Sequence, residues 1–314
     1  MEFRKLIKFG SNSFVVSLPR SWLEKYNLGK GDTITLEPAG NSLILSSANK
    51  KEIEDKVITV TVKSSSTPRI LKRELLSAYE HNATTIYLTG PGVPQHTEAI
   101  TSLIDSLTGL EIVEHTKNKI IAKTYIQTSD ISIESFLKRV DNSIKSMILE
   151  IAEELEPNKK FSIEKLKNAI SQREKNVDKI VRLLQRVIRE RLYKQISGDK
   201  DNDPVTMLRY WQMLTVLETI SDNLEDLTYD LDLLKTEEEK KKLQHTIMTI
   251  KNCFEKVMNA FYTKSREQAY NISDTIREVK QEIKKKTEEK NFSYLVQKLE
   301  ENMNLISEIN KLTY

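Results

Sequence analysis

The sequence predicts a multi-domain, mostly α protein in three parts. Short β-hairpins come first, a small α/β domain follows, and a long helical domain completes the chain. Three observations carry this. Four of the eight glycines fall within residues 1–46, whereas neither Gly nor Pro occurs after Pro204. Short β-rich runs fill the first 127 residues, and beyond them apolar residues recur three and four apart. At 314 residues the chain exceeds what one core ordinarily covers, so two or three domains are expected.

Within 1–46, FRKLIK, SFVVSL, TITLEP and SLILSS read as strands. They are broken at Gly10-Ser11-Asn12, Gly29-Lys30-Gly31-Asp32 and Ala39-Gly40-Asn41. PRSWLEKY reads as a short helix with Pro19 at its first position, where no N–H bond is lost. Residues 47–55 read as a linker. Over 56–127 come VITVTV, a helix from Thr67 to about His81, TTIYLTG, a helix over about 95–107, LEIVEHT and KIIAKTYI. That order, βαβαββ, predicts a small α/β domain.

From 131 to 314 only helix fits, over 134–156, 162–196, 204–233, 237–263, 266–289 and 292–312. The second carries the stripe Ile163, Leu166, Ile170, Val177, Val181, Leu184, Ile188, Leu192, and the third Leu217, Ile220, Leu224, Leu227, Leu231. Asp203-Pro204 marks an N-cap, and Thr236…Glu239 and Ser265…Gln268 have capping-box spacing. Short loops between long helices predict antiparallel bundles.

Charged residues make up 30% of the chain and aromatics 7%, as in a soluble helical protein. No apolar run reaches the ~20 residues of a membrane span, and no secretory signal is visible. The one cysteine, Cys253, lies mid-helix and reads as a buried thiol. These features predict a cytoplasmic protein. Residues 1–50 carry seven Lys/Arg and four Asp/Glu, so the whole net charge of +3 lies there. A local basic surplus is the footprint of a phosphate-backbone contact.

A domain of ~45 residues without disulfide or metal cannot bury enough apolar surface alone and should fold with a partner. KFGSNSFVVSLPRSW (8–22), followed by Gly31-Asp32 and LIL at 43–45, resembles the AbrB/MazE/SpoVT family over about residues 3–46. The resemblance implies a swapped-hairpin β-barrel made by two interleaved chains and bound to DNA. It places Arg4, Lys5 and Lys8 on the first strand, Asn12 and Ser13 in the turn, Arg20 at the helix start, and Lys25 against the duplex. Lys and Arg neutralise phosphates, Arg also reads guanine edges, and a two-fold dimer suits a pseudo-palindromic site. Trp22 reads as core.

Glu174…Asp178 and Glu218…Asp222 put two carboxylates one turn apart on each of two consecutive helices. A cation bridging all four would relieve their repulsion. Such pairs are common by chance in a chain with 46 acidic residues, so spacing alone selects nothing. The surrounding VDKIVRLLQR (177–186) and LETISDNLEDL (217–227) resemble the PhoU family over about 131–314. That resemblance implies two three-helix bundles, metal at Glu174, Asp178, Glu218 and Asp222 (iron, zinc or magnesium), and a role in phosphate uptake through transporters and signalling proteins. In the second bundle Glu267…Asn271 and Glu300…Asn304 have Asn where the family pattern has an acid, so no metal residues are carried over there.

No Glu-x-x-His precedes any of the four histidines, and HExxH, GxxxxGK[ST], GxSxG and GxGxxG are missing, so no enzyme is expected. Gly90-Pro91-Gly92 reads as a turn rather than an anion-binding helix start. The expected function is a dimeric, or higher oligomeric, DNA-binding transcriptional regulator of phosphate uptake. The alternative is a PhoU-type protein-interaction regulator of a phosphate transporter whose N-terminal barrel only dimerises. A toxin-neutralising role is disfavoured, because antitoxins append short disordered tails rather than long bundles.

Overall fold

The computed structural model describes residues 3–39, 42–47, 56–156, 162–196, 203–286 and 293–313. The chain divides into two compact units, one around residues 1–54 and one holding nearly all the rest.

The first unit contains two separate antiparallel hairpins. Strands β1 (Ile7–Phe9) and β2 (Ser13–Val15) pair around a turn in which Gly10 takes φ +71°, a conformation that favours glycine. Strands β3 (Ile34–Ala39) and β4 (Ser42–Ser47) pair Leu36 with Leu45. The strand expected from residue 3 begins only at Ile7, because β2 reaches no further and an unpaired strand has no ladder to hold it. Between the hairpins lies α1 (Arg20–Lys25). Pro19 is its N-cap, one position before the expected one, and its carbonyl accepts from the N–H groups of Trp22 and Leu23. In the Gly29–Asp32 turn, the Gly29 N–H donates to the Asp32 carboxylate at 2.7 Å. Gly31 takes φ +95° there. Leu28 is the one buried apolar residue among the described residues of this unit.

The second unit opens with β5 (Val57–Thr61), α2 (Pro68–Glu80), β6 (Thr85–Thr89), α3 (Val93–Asp105), β7 (Leu110–Thr116) and β8 (Lys119–Thr124). The sheet order is β5-β6-β8-β7, with the first pair parallel and the others antiparallel. The parallel pair needs a crossover, and α2 supplies it. Helices α2 and α3 pack together and on the sheet over Val60, Leu71, Leu75, Ile86, Leu88, Ile100 and Ile120.

The helices then run α4 (Ile133–Glu154), α5 (Ile163–Ile196), α6 (Pro204–Asp230), α7 (Glu237–Tyr262), α8 (Arg266–Lys286) and α9 (Ser293–Lys311). A short 3₁₀ turn, Leu231–Leu233, follows α6. Asp203 accepts from Val205 and Thr206 N–H groups at the start of α6, and Thr236 with Glu239 closes a capping box on α7. Helix α4 packs on α6 and α7, α6 on α9, and α7, α8 and α9 on one another. All six contribute to one continuous apolar core, so the helical region buries its stripes as a single body.

Helix α5 is buried on more than one side. Val181, Leu184 and Ile188 face the helical core, and Leu183 and Val187 are buried as well. Arg186, 3% exposed, turns to the α/β layer. Its guanidinium donates to the carbonyls of Tyr79 (3.1 Å) and Ala83 (3.0 Å) and lies over the Tyr79 ring. Arg189 donates to the Glu80 carbonyl. Two arginines of α5 thereby bond the last carbonyls of α2, Tyr79 and Glu80, and that of Ala83 just beyond it, where cations also suit the helix dipole. Among the described residues, no helix is long and apolar enough to cross a membrane.

Candidate functional site

The described basic residues of the first unit are all at its surface. Arg4 and Lys5 precede β1, Lys8 lies within it, Asn12 is in the turn, Ser13 opens β2, and Arg20 and Lys25 bracket α1. Register puts Lys8 opposite Phe14, on the other face of the ribbon from Ile7, Phe9 and Val15. The hairpin therefore separates a mainly apolar face from the one that carries Lys8. Arg20 donates to Glu24 at 2.8 Å in an exposed pair, and Lys25 stands 5.4 Å from the Tyr26 ring centre. Exposed pairs of this kind are worth about 0–1 kcal/mol, so a phosphate can displace Glu24 from Arg20. Trp22 is partly buried and packs on Tyr26 at 5.6 Å.

The carboxylates of α5 and α6 come together in the second unit. Oxygens of Glu174, Asp178 and Asp222 lie within 4.8 Å of one another. Ligands on opposite sides of a cation are about 4–5 Å apart when each bond is 2.0–2.4 Å, so this spacing fits one oxygen-bound ion. Glu218 sits beside Asp178 and acts on it electrostatically. Burial, then Asp178, Glu225 and Asp222, push the Glu174 carboxyl up to about 7. Burial, then Asp178, push Glu218 up to about 7 as well. Asp222 is raised by burial and by Asp178, Asp226 and Glu225. With their carboxyls raised to about 7, Glu174 and Glu218 are part-protonated near neutral pH, and a cation would replace those protons.

Two features of this cluster are absent from the sequence reading. Glu225 belongs to the same negative field, and its position three residues after Asp222, on the same helix face, was the available signal. Arg182 donates to Asp178 at 2.8 Å and acts electrostatically on Glu218 and Asp222, an internal counter-charge one turn along α5. A cation taking Asp178 must compete with it. The donor set holds only carboxylate oxygens, which suit hard ions such as magnesium better than zinc. In the second half of the helical region, Glu267 and Asn271 are exposed on α8 and Asn304 on α9, and among the described residues they join no such cluster.

The Gly90-Pro91-Gly92 turn presses against the end of β5. Gly90 takes φ +134°, and a Cβ there would lie 2.4 Å from the Val62 carbonyl oxygen. One on Gly92 would lie 2.2 Å from that of Lys63. The Gly90 and Gly92 N–H groups are already donated to Asn118 and Val62. The turn is a packing element with no N–H left for an anion at those two positions.

Residues 7–62 match the family model described as antidote-toxin recognition MazE, bacterial antitoxin. The match covers both hairpins and α1 and ends at β5 of the next domain. No curated protein matches the chain, and no solved structure matches it. The N-terminal part of this chain is thus a MazE-like domain of the AbrB/MazE kind, carried ahead of an α/β layer and a long helical body.

Proposed function

We propose that the chain is a DNA-binding transcription regulator whose helical unit is a sensor for phosphate uptake. The observation that carries it is the MazE-like match over residues 7–62, on a segment whose Lys8, Arg20 and Lys25 are exposed, with Arg4 and Lys5 exposed just before it. In this reading two chains join their hairpins into one barrel. Lys8, Arg20 and the turn residues Asn12 and Ser13 then meet the phosphate backbone and groove. The carboxylates on α5 and α6 hold a hard divalent cation and supply the regulatory input. The link to phosphate rests on the likeness of 177–186 and 217–227 to PhoU sequences, and the chain catalyses nothing.

Selection of bound DNA from a random pool, with and without phosphate and magnesium, tests the proposal. A recovered pseudo-palindromic motif, lost on Lys8→Gln/Arg20→Gln, supports it. Recovery of no motif overturns it.

The name of the matched family favours a second reading, in which the chain neutralises a toxin. Capture of a toxin by the wild-type chain, together with relief of its toxicity, would select that reading. A third outcome, transporter subunits retained without DNA binding, would make the hairpins a dimerisation device alone.

A further inference from the structure

At one end of the helical body, the starts of α4 and α6, the end of α7 and the residues after α9 enclose a cavity of about 160 Å³. Its polar wall is almost entirely made of donors. Lys138, Arg209 and Lys264 bring positive charge, and Tyr262 and Thr313 bring hydroxyls. Thr313 is 7% exposed, and its hydroxyl is shut from solvent without a hydrogen-bond partner. The one acidic group on the wall, Glu134, already accepts from the Tyr210 hydroxyl at 2.8 Å. Thr206 is likewise committed, donating to Asp203 at 2.7 Å. The Tyr262 hydroxyl is turned to Asp141, a carboxylate that can accept from it and that Lys145 neutralises at 2.9 Å. Asp203 also acts on Arg209, so the cavity keeps a modest positive surplus.

A wall rich in donors calls for a ligand that only accepts, and a buried hydroxyl left unpaired, as on Thr313, costs free energy until something fills the space beside it. The volume is below the roughly 300 Å³ at which cofactor pockets begin, so a nucleotide is excluded. It suffices for one small ion with a water or two, each water taking about 30 Å³. We propose that this cavity binds a single tetrahedral oxyanion of the phosphate or sulfate class, held by Arg209, Lys264 and Lys138 and by the hydroxyl of Thr313. A charge-assisted bond to such an ion supplies the partner that Thr313 lacks. The site is independent of the carboxylate cluster and of the hairpins, so it stands or falls apart from the function proposed above.

The test is thermal unfolding and calorimetric titration of the full chain with sodium phosphate, sodium sulfate and sodium acetate, at ionic strength held constant with sodium chloride. Phosphate or sulfate at 10 mM should raise Tm by about 2–5 °C, and acetate should not. Thr313→Val removes one hydroxyl at constant volume and should weaken the oxyanion at least about tenfold. Without the ion that variant should melt at or above the wild-type temperature, because an unpaired hydroxyl has gone. Lys264→Gln should also weaken the ion, and Arg277→Gln, on exposed α8, should leave it unchanged. Equal shifts in wild type and Thr313→Val, an equal response to acetate, or no response to either oxyanion would overturn the proposal and leave a water-filled cavity.

Discussion

At the scale of single residues, the decisive groups are those whose charge is held where water is scarce. Glu174 and Glu218 are raised to about 7, whereas an unfolded chain titrates glutamate near 4.3. The folded state therefore keeps protons that the unfolded state releases between those values. Their contribution to stability is fully present below about pH 4.3 and is lost as pH rises through about 7. The metal-free protein should lose roughly 1–3 kcal/mol over that window, after discounting for partial solvation. Calorimetric scans from pH 5 to 8 should show Tm falling, and saturating magnesium should flatten the fall by replacing the protons. Glu218→Gln with Glu174→Gln should flatten it without magnesium. Elemental analysis gives a separate check: wild type should retain metal that Glu218→Ala/Asp222→Ala loses, and equal metal in both would end the cation reading. Arg186 is the converse case, a buried cation bonded to the Tyr79 carbonyl at the end of α2 and to the Ala83 carbonyl just beyond it. Arg186→Met takes the Arg186 donor from the Ala83 carbonyl, while Tyr79 keeps its bond from the Asn82 N–H, and should cost about 1–3 kcal/mol in urea unfolding. Arg186→Lys should recover only part, because an ammonium lacks the planar fork that spans both.

At the scale of elements, the parts set by local chemistry are those the sequence discloses. Helix starts at Asp203 and Thr236 follow from side chains three residues from the N–H groups they cap, and both caps are present. The stripe Leu217, Ile220, Leu224, Leu227, Leu231 is wholly buried, because α6 turns one continuous face to the core. Helix α5 shows where this reading ends. Its period marks the face toward the helical core, but Leu183, Arg186 and Val187 are buried too, against residues over a hundred positions away in the case of Arg186. No local pattern encodes that. The i,i+4 spacing sets Glu174 with Asp178, and Arg182 with Asp178, on one side of α5, whereas the approach of Asp222 depends on how α5 meets α6. The shortened β1 has the same cause as α5, since a strand extends only as far as its partner. The Gly90-Pro91-Gly92 turn carries an element-scale prediction. The backbone contacts that a Cβ on Gly92 would violate belong to the chain just after β5. Gly92→Ala should push β5 and α3 apart and cost about 1–3 kcal/mol by thermal unfolding. An unchanged Tm would mean that the turn yields freely.

At the scale of the whole molecule, the two units face opposite circumstances. The second has a continuous core through six helices and a separate one under its sheet, and needs no partner to bury them. The first buries Leu28 alone among its described apolar residues, while Phe9 is 69% and Phe14 65% exposed in the single chain. Isolated two-stranded hairpins are marginal in water, and contiguous apolar surface marks an interface. Ile7, Phe9 and Val15 share one face of the first hairpin, so a second copy of the same ribbon can cover it about a two-fold axis. The chain should therefore be a dimer by light scattering, held through its first fifty residues. Ile7→Glu/Phe9→Glu places like charges in that interface and should yield monomers. Because the helical core lies in the other unit, the variant should keep its far-ultraviolet helix signal and its main unfolding transition. It also keeps Arg4, Lys5, Lys8 and Arg20, so loss of DNA binding with those residues present would show that the duplex needs both copies. A variant that remains dimeric would move the interface to the helical body, and retained binding by a monomer would show that one hairpin suffices.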